Sequence, residues 1–168
     1  MTHSPTLTRT RAQVYALVRA CPSGRATTYG WLATAVGLPG NARLVGWIMA
    51  GTPAEAAVPA HRVVNSQGVL TGAWAFGHPD TMASLLQAEG IIFDSKGRVP
   101  MKVYAWDPVA DLSDDERVAI LAGAEAAFAD LPTPNDADLP PFLRDKNSPF
   151  RPAYIAQKSG PIRPLEWV

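Results

Sequence analysis

The chain has 168 residues, no net charge, 47% hydrophobic and 18% charged side chains, a balance that suits a soluble folded protein and excludes wholesale disorder. That length allows one ordinary core plus an appendage. No apolar run reaches the roughly eighteen residues of a membrane helix, and the opening "MTHSPTLTRTRAQVY" lacks a leader pattern, so a cytoplasmic protein with no membrane partner is expected.

A single cysteine excludes an internal disulfide and a cysteine-rich zinc site, and His3, His61 and His78 have no ligand spacing. Neither metal nor cofactor is expected. No heptad pattern points to a coiled coil, and a monomer is expected. The zero balance hides an asymmetry: residues 1–100 carry eight Lys and Arg against four acids, residues 101–168 seven against eleven. A basic half beside an acidic half makes a polyanion a plausible partner for the first.

Along the chain, the first helix is expected over Thr10–Ala20, with Val14, Leu17, Val18 and Cys21 on one face and "CPSG" ending it. Cys21 there reads as a small buried hydrophobe. Thr28 is a candidate N-cap for a helix over Tyr29–Val36 with Gly37 as its stop. Asn41 can cap a second, Ala42–Ala50, closed by Gly51 and Pro53. Two short helices joined by "GLPGN" have the dimensions of a helix-turn-helix.

"VPAHRVVNSQGVL" reads as a loop entering an extended segment. "TMASLLQAEGI" is a third helix, with Met82, Leu85 and Leu86 on one face and Gly90 as stop, and "IIFDSKGRV" looks like a strand and a turn. Beyond Pro100 a helix near 113–129 opens on Ser113 and Glu116 in capping-box register, with Val118, Leu121, Glu125 and Phe128 on one stripe. Eight prolines follow from Pro132 onward, among Phe142, Phe150, Tyr154 and Trp167. The expected organisation is an α/β, mostly helical domain over 8–98 that contains the helix-turn-helix, followed by an acidic, proline-rich extension over 99–168.

The chemistry concentrates in "VPAHRVVNSQG". His61 is a candidate base that Glu89 would orient, yet Ala60 beside it has no lone pair to activate. His61 therefore reads more as a hydrogen-bonded brace for the loop than as a proton carrier; Arg62 reads either as a structural ion pair or as a ligand contact, and Asn65 as a residue that ties down its own turn.

"GRATTYGWLA", "NARLVGWIM", "VPAHRVVNSQG" and "LLQAEG", in this order and spacing, resemble the DNA-binding domain of the O6-alkylguanine-DNA alkyltransferases. Family members carry Pro-Cys-His-Arg in the loop, and the cysteine accepts the alkyl group. With Ala60 in that place the chain resembles the alkyltransferase-like proteins, most of which carry tryptophan there and bind damage without transferring it. A winged-helix-like, DNA-binding character for the domain over 8–98 follows from this resemblance.

The resemblance implies a non-enzymatic sensor of O6-alkylguanine in double-stranded DNA that flips the damaged base and marks it for another pathway such as nucleotide excision repair, whose proteins become candidate partners. It implies that Arg43 enters the base stack, that Tyr29 presses on the phosphate backbone, and that Asn41, Ala42 and Gly46 lie on the helix that meets the minor groove. Pro59, Ala60, Val63 and the "TGAW" loop would floor the lesion pocket. His61, Arg62, Asn65 and Glu89 would be kept as its scaffold, and Trp74 either stacks on the flipped base or packs in the core. The alternative is a helix-turn-helix transcription regulator of undamaged DNA. An alkyltransferase acting through Cys21 is disfavoured, because that residue lies outside the pocket motif.

Overall fold

The computed structural model describes residues 5–76 and 78–132; the proline-rich stretch from residue 133 onward, with its aromatic residues, lies outside the described residues. Helix α1 spans Pro5–Ala20, starting earlier than the sequence pattern indicates. Its Val14, Leu17 and Val18 are fully buried and Cys21 follows them into the interior, the 3.6-residue stripe of an amphipathic helix. The turn at Pro22–Arg25 leads into β1, Thr27–Thr28, which pairs in parallel with β2, Val63–Val64. All four strand residues are β-branched and buried, as befits a pleated surface covered on both sides. An isolated parallel bridge, Ala26 with Ala105, extends this seam.

Helix α2 spans Tyr29–Ala35, its N-cap Thr28 accepting a hydrogen bond from the Trp31 amide at 3.0 Å. It ends on a left-handed glycine: Leu38 N–H donates to the Ala33 carbonyl and Gly37 N–H to that of Thr34, with Gly37 at φ +83°. This double closure satisfies two orphan carbonyls and turns the chain toward α3, Ala42–Ala50. Helices α2 and α3 pack against each other, giving the expected helix-turn-helix. Asn41 occupies the N-cap position of α3 without the side-chain hydrogen bond the sequence led one to expect.

Helix α4 spans Thr81–Ala88 and closes in the same way as α2, through Ile91 N–H to Leu86 O and Gly90 N–H to Gln87 O. Met82 and Leu86 are buried, whereas Leu85, expected on the same face, is 39% exposed. No strand forms over 91–99: Ile92 N–H donates to the Tyr104 hydroxyl and Val99 N–H to the Gly68 carbonyl. The segment is tied to loops rather than laddered, which corrects the strand expectation. Two turns of one design result. Asn65 Oδ1 accepts from the amides of Gln67 and Val69, and Asp94 Oδ1 accepts from those of Lys96 and Arg98, each loop containing a glycine at positive φ.

Short helices α5, Met101–Tyr104, and α6, Pro108–Asp111, lead to α7, Asp114–Ala127. The capping box is present, with Ser113 Oγ accepting from the Glu116 amide and the Glu116 carboxylate accepting from that of Ser113. Helix α7 packs along α1. Its inward stripe differs from the expected one: Ala124 and Phe128 are buried, whereas Val118 is 62% exposed. Phe128 meets Tyr15 edge-on at 5.6 Å. The helix carried by the acidic segment therefore completes the main core.

Candidate functional site

The loop 58–64 has two faces. On one lies an apolar pocket of about 320 Å³ including its mouth, walled by Tyr29 of α2, Gly46 and Met49 of α3, Ala60, Val63 and the 72–76 loop, with Met82 of α4 also lining it. Ala60 opens the 3₁₀ turn Ala60–Arg62 and presents a methyl group to this space. The sequence led to Ala60, Val63 and the 71–74 loop. It missed Met49, Ala75, Phe76 and Met82, since methionines and a phenylalanine at helical spacing look like ordinary core.

Tyr29 is only 5% exposed. Burial pushes its hydroxyl pKa up, and the nearby Thr71 hydroxyl offsets only part of that. That oxygen lies so close under the 72–76 loop that a β-carbon on Gly72 would come within 2.8 Å of it. In the DNA-free protein Tyr29 is therefore a wall of the pocket. Gly46 is likewise buried in the wall. Asn41, Ala42 and Arg43 are half-buried at the start of α3, apart from the residues of the second face. Pro59 precedes Ala60 without lining the space. Trp74 belongs to the 3₁₀ turn Ala73–Phe76, but its side chain lies outside the described ones.

On the other face of the loop stands a charged network. His61 Nε2 is 2.6 Å from Glu89 Oε2. Arg62 grips the same carboxylate through Nε at 3.0 Å and Nη2 at 2.8 Å, and its Nη1 donates to the Cys21 carbonyl at 2.7 Å. The Gly24 amide donates to Glu89 Oε1 at 3.0 Å. Burial alone would push the Glu89 carboxyl up, but the hydrogen bonds from Arg62, Gly24 and His61, with the His61 charge, hold it down at about 2. Glu89 can serve this way because it is the C-cap of α4, where the helix ends and the side chain turns back toward the loop.

The network thus joins the end of α1, the pocket loop and the end of α4 through one carboxylate. Asn65 stands outside it, accepting two amides of its own turn. Cys21 is 1% exposed, and burial, reinforced by the Glu89 charge, pushes its thiol up to about 12 against the smaller lowering effects of Arg62 and Arg25. Such a thiol has little thiolate to offer at neutral pH, and it does not line the pocket. Among the described residues, no group of three or more His, Cys, Asp or Glu could hold a metal ion, and no helix is long and apolar enough to cross a membrane.

Residues 9–91 match the family described as the DNA-binding domain of 6-O-methylguanine DNA methyltransferase. The DNA base-flipping protein of Vibrio parahaemolyticus is 35% identical over 97 residues, spanning 57% of this chain and 94% of that protein. The chain belongs to this family. Alkyltransferase-like protein 1 of Schizosaccharomyces pombe is 33% identical over 100 residues, covering 57% of this chain and 93% of that one. The fold also matches the crystal structure of S. pombe Atl1 in complex with damaged DNA containing O6-carboxymethylguanine, with TM-score 0.52 and 33% identity over 59% of this chain and 95% of that one. Within this family the expectation of a mostly helical DNA-binding fold holds. Helix α7 lies beyond the matched stretch.

Proposed function

We propose that this family member is a non-enzymatic sensor that binds duplex DNA, flips an O6-alkylated guanine into the pocket beside Ala60, and holds it reversibly. The observation that carries the reading is the chemistry of the pocket wall. In the place where the transferase motif carries its cysteine, the 3₁₀ turn puts a methyl group, and the surrounding residues are Val63, Met49, Phe76 and Met82. An apolar enclosure stabilises an alkylated base by removing the adduct from water, at roughly 0.8 kcal/mol per buried methylene. It offers no activated nucleophile to take the alkyl group.

His61, whose partner in a transferase would be the cysteine, is turned to Glu89 and fixed there. Together with Arg62 it acts as scaffold: the ion-paired network holds the 60–62 turn while the pocket side stays apolar. Flipping costs a few kcal/mol of stacking and pairing, least at a weakened lesion pair. Arg43 at the start of α3 supplies the planar cation that would fill the vacated stack, and Asn41, Ala42 and the backbone near Gly46 would follow the minor groove. Tyr29 closes the pocket from α2 and swings toward the backbone when the nucleotide enters. The protein works as a cytoplasmic monomer on this reading, and because it does not turn over, it hands the marked site to another pathway, nucleotide excision repair being the candidate.

Incubation with duplex carrying a labelled O6-alkyl group separates sensing from chemistry. Retention of label on the DNA in a stable complex supports the proposal; stoichiometric label on the protein overturns it.

A further inference from the structure

Helix α7 lies outside the family match, yet it reaches the pocket loop through one side chain. Arg19, in the last turn of α1, sits with its guanidinium 4.4 Å over the Phe128 ring at the end of α7. From there Nη2 donates to the Ala56 carbonyl at 2.5 Å. Ala56 is 1% exposed and ends the 3₁₀ turn Ala54–Ala56, and the next residue, Ala57, is held at φ +52°, the one described non-glycine residue in the left-handed region. An alanine there stores about 1 kcal/mol or more of strain and persists only where neighbours hold it. Two residues on, Val58 and Pro59 deliver Ala60 to the pocket, and the Ala60 amide donates to the Val58 carbonyl at 2.8 Å.

Phe128 itself is fixed by burial and by its edge contact with Tyr15. The ring of α7 therefore positions a cation, the cation fixes a carbonyl, and the carbonyl fixes the strained entry to the loop that carries Ala60. We propose that Phe128 and Arg19 are positioning residues for the lesion pocket, so that α7 sets how firmly a flipped base is held. This rests on the sensor reading given above.

Two measurements on the full chain keep the two ideas apart. In the DNA-free protein, amide hydrogen exchange should quicken at Ala56–Ala60 in Arg19→Gln and Phe128→Leu, while α2 and α3 keep their protection. Unchanged exchange at Ala56–Ala60 overturns the positioning role whatever the protein binds. In DNA binding, each variant should lose about threefold to tenfold in affinity for an O6-methylguanine duplex, with the matched guanine duplex unaffected, and the double variant should lose less than the two losses combined.

Equal losses on both duplexes would make Arg19 a plain phosphate contact and overturn the proposal. A wild-type protein that does not distinguish the duplexes would sink the sensor reading while the exchange result still decides the coupling. Phe128→Leu keeps most of the buried volume, and if it fails to fold, Arg19→Gln, at an exposed position, carries both measurements.

Discussion

Arg62 and Glu89 face each other at the end of α4 with Nη2 2.8 Å from Oε2 and Nε 3.0 Å from Oε1, and the pair fastens the pocket loop to two other elements. Glu89 is the hub, since Gly24 and His61 also donate to it. Its carboxyl is held at about 2, below the ordinary 4.5. A depressed carboxyl contributes stability that is present in full above its unfolded value and is lost as pH falls through the folded one. Denaturant unfolding should therefore show a loss between pH 4.5 and 2 that Glu89→Gln lacks, with the variant weaker by about 2 kcal/mol at pH 7. Equal acid sensitivity in both proteins would contradict the hub role.

The glycines make a second, sharper test. A β-carbon on Gly68, at φ +80°, would meet the Val99 carbonyl oxygen at 2.1 Å, whereas one on Gly37, at φ +83°, meets nothing within 4 Å. Both substitutions carry the left-handed penalty, but only the first also separates two hydrogen-bonded segments. Gly37→Ala should cost about 1–2 kcal/mol and Gly68→Ala about 3 kcal/mol or more. Thermal melts of the two variants check the order; similar losses would mean that the 68–99 junction is not a tight one.

Cys21 should be chemically silent. With its thiol buried and pushed up to about 12, it should react with a disulfide reagent at neutral pH only as fast as the chain opens, and fully once denatured. Cys21→Ala should keep lesion binding. Rapid labelling of the native protein would place the thiol in a far more open setting than the end of α1.

The methyl of Ala60 should decide how much room the adduct has. Ala60→Trp fills the space between Val63, Met49 and Phe76, so affinity for a benzyl adduct should fall about tenfold or more relative to a methyl adduct. A series of duplexes with growing O6-alkyl groups, bound to both proteins, measures this. A parallel change for all adducts would show that the alkyl group lies elsewhere.

Local signals are legible in the sequence because their physics is local. Thr28 caps α2 and Ser113 with Glu116 caps α7 through atoms three residues apart, and Gly37 and Gly90 stop their helices because only glycine takes the left-handed turn freely. What depends on a distant partner is less legible. "IIF" at 91–93 has the composition of a strand, but among the described residues no strand lies beside it: the Ile91 amide closes α4 on the Leu86 carbonyl and the Ile92 amide goes to the Tyr104 hydroxyl. The stripe on α7 is phased differently from its hydrophobic pattern: Val118 has the hydrophobicity for the core, but α1 lies against Ala124 and Phe128 instead.

The same division runs through the site. His61, Arg62 and Glu89 converge as a set that motif spacing could point to. Gly24, the Cys21 carbonyl, Met49 and Met82 join only through the fold. The matched turns "NSQGV" and "DSKGR" share one local signal, an acceptor side chain three residues before a glycine, and both fold to the same geometry.

The central claim is that the Ala60 pocket recognises an alkylated base and leaves it unchanged. Its most direct test is equilibrium binding of the full chain to two duplexes identical except for O6-methylguanine in place of one guanine, with the DNA recovered and analysed afterwards. The account predicts about tenfold or greater preference for the damaged duplex, with the methyl group still on the base. Equal affinity for the two duplexes, or recovery of demethylated guanine, would contradict it.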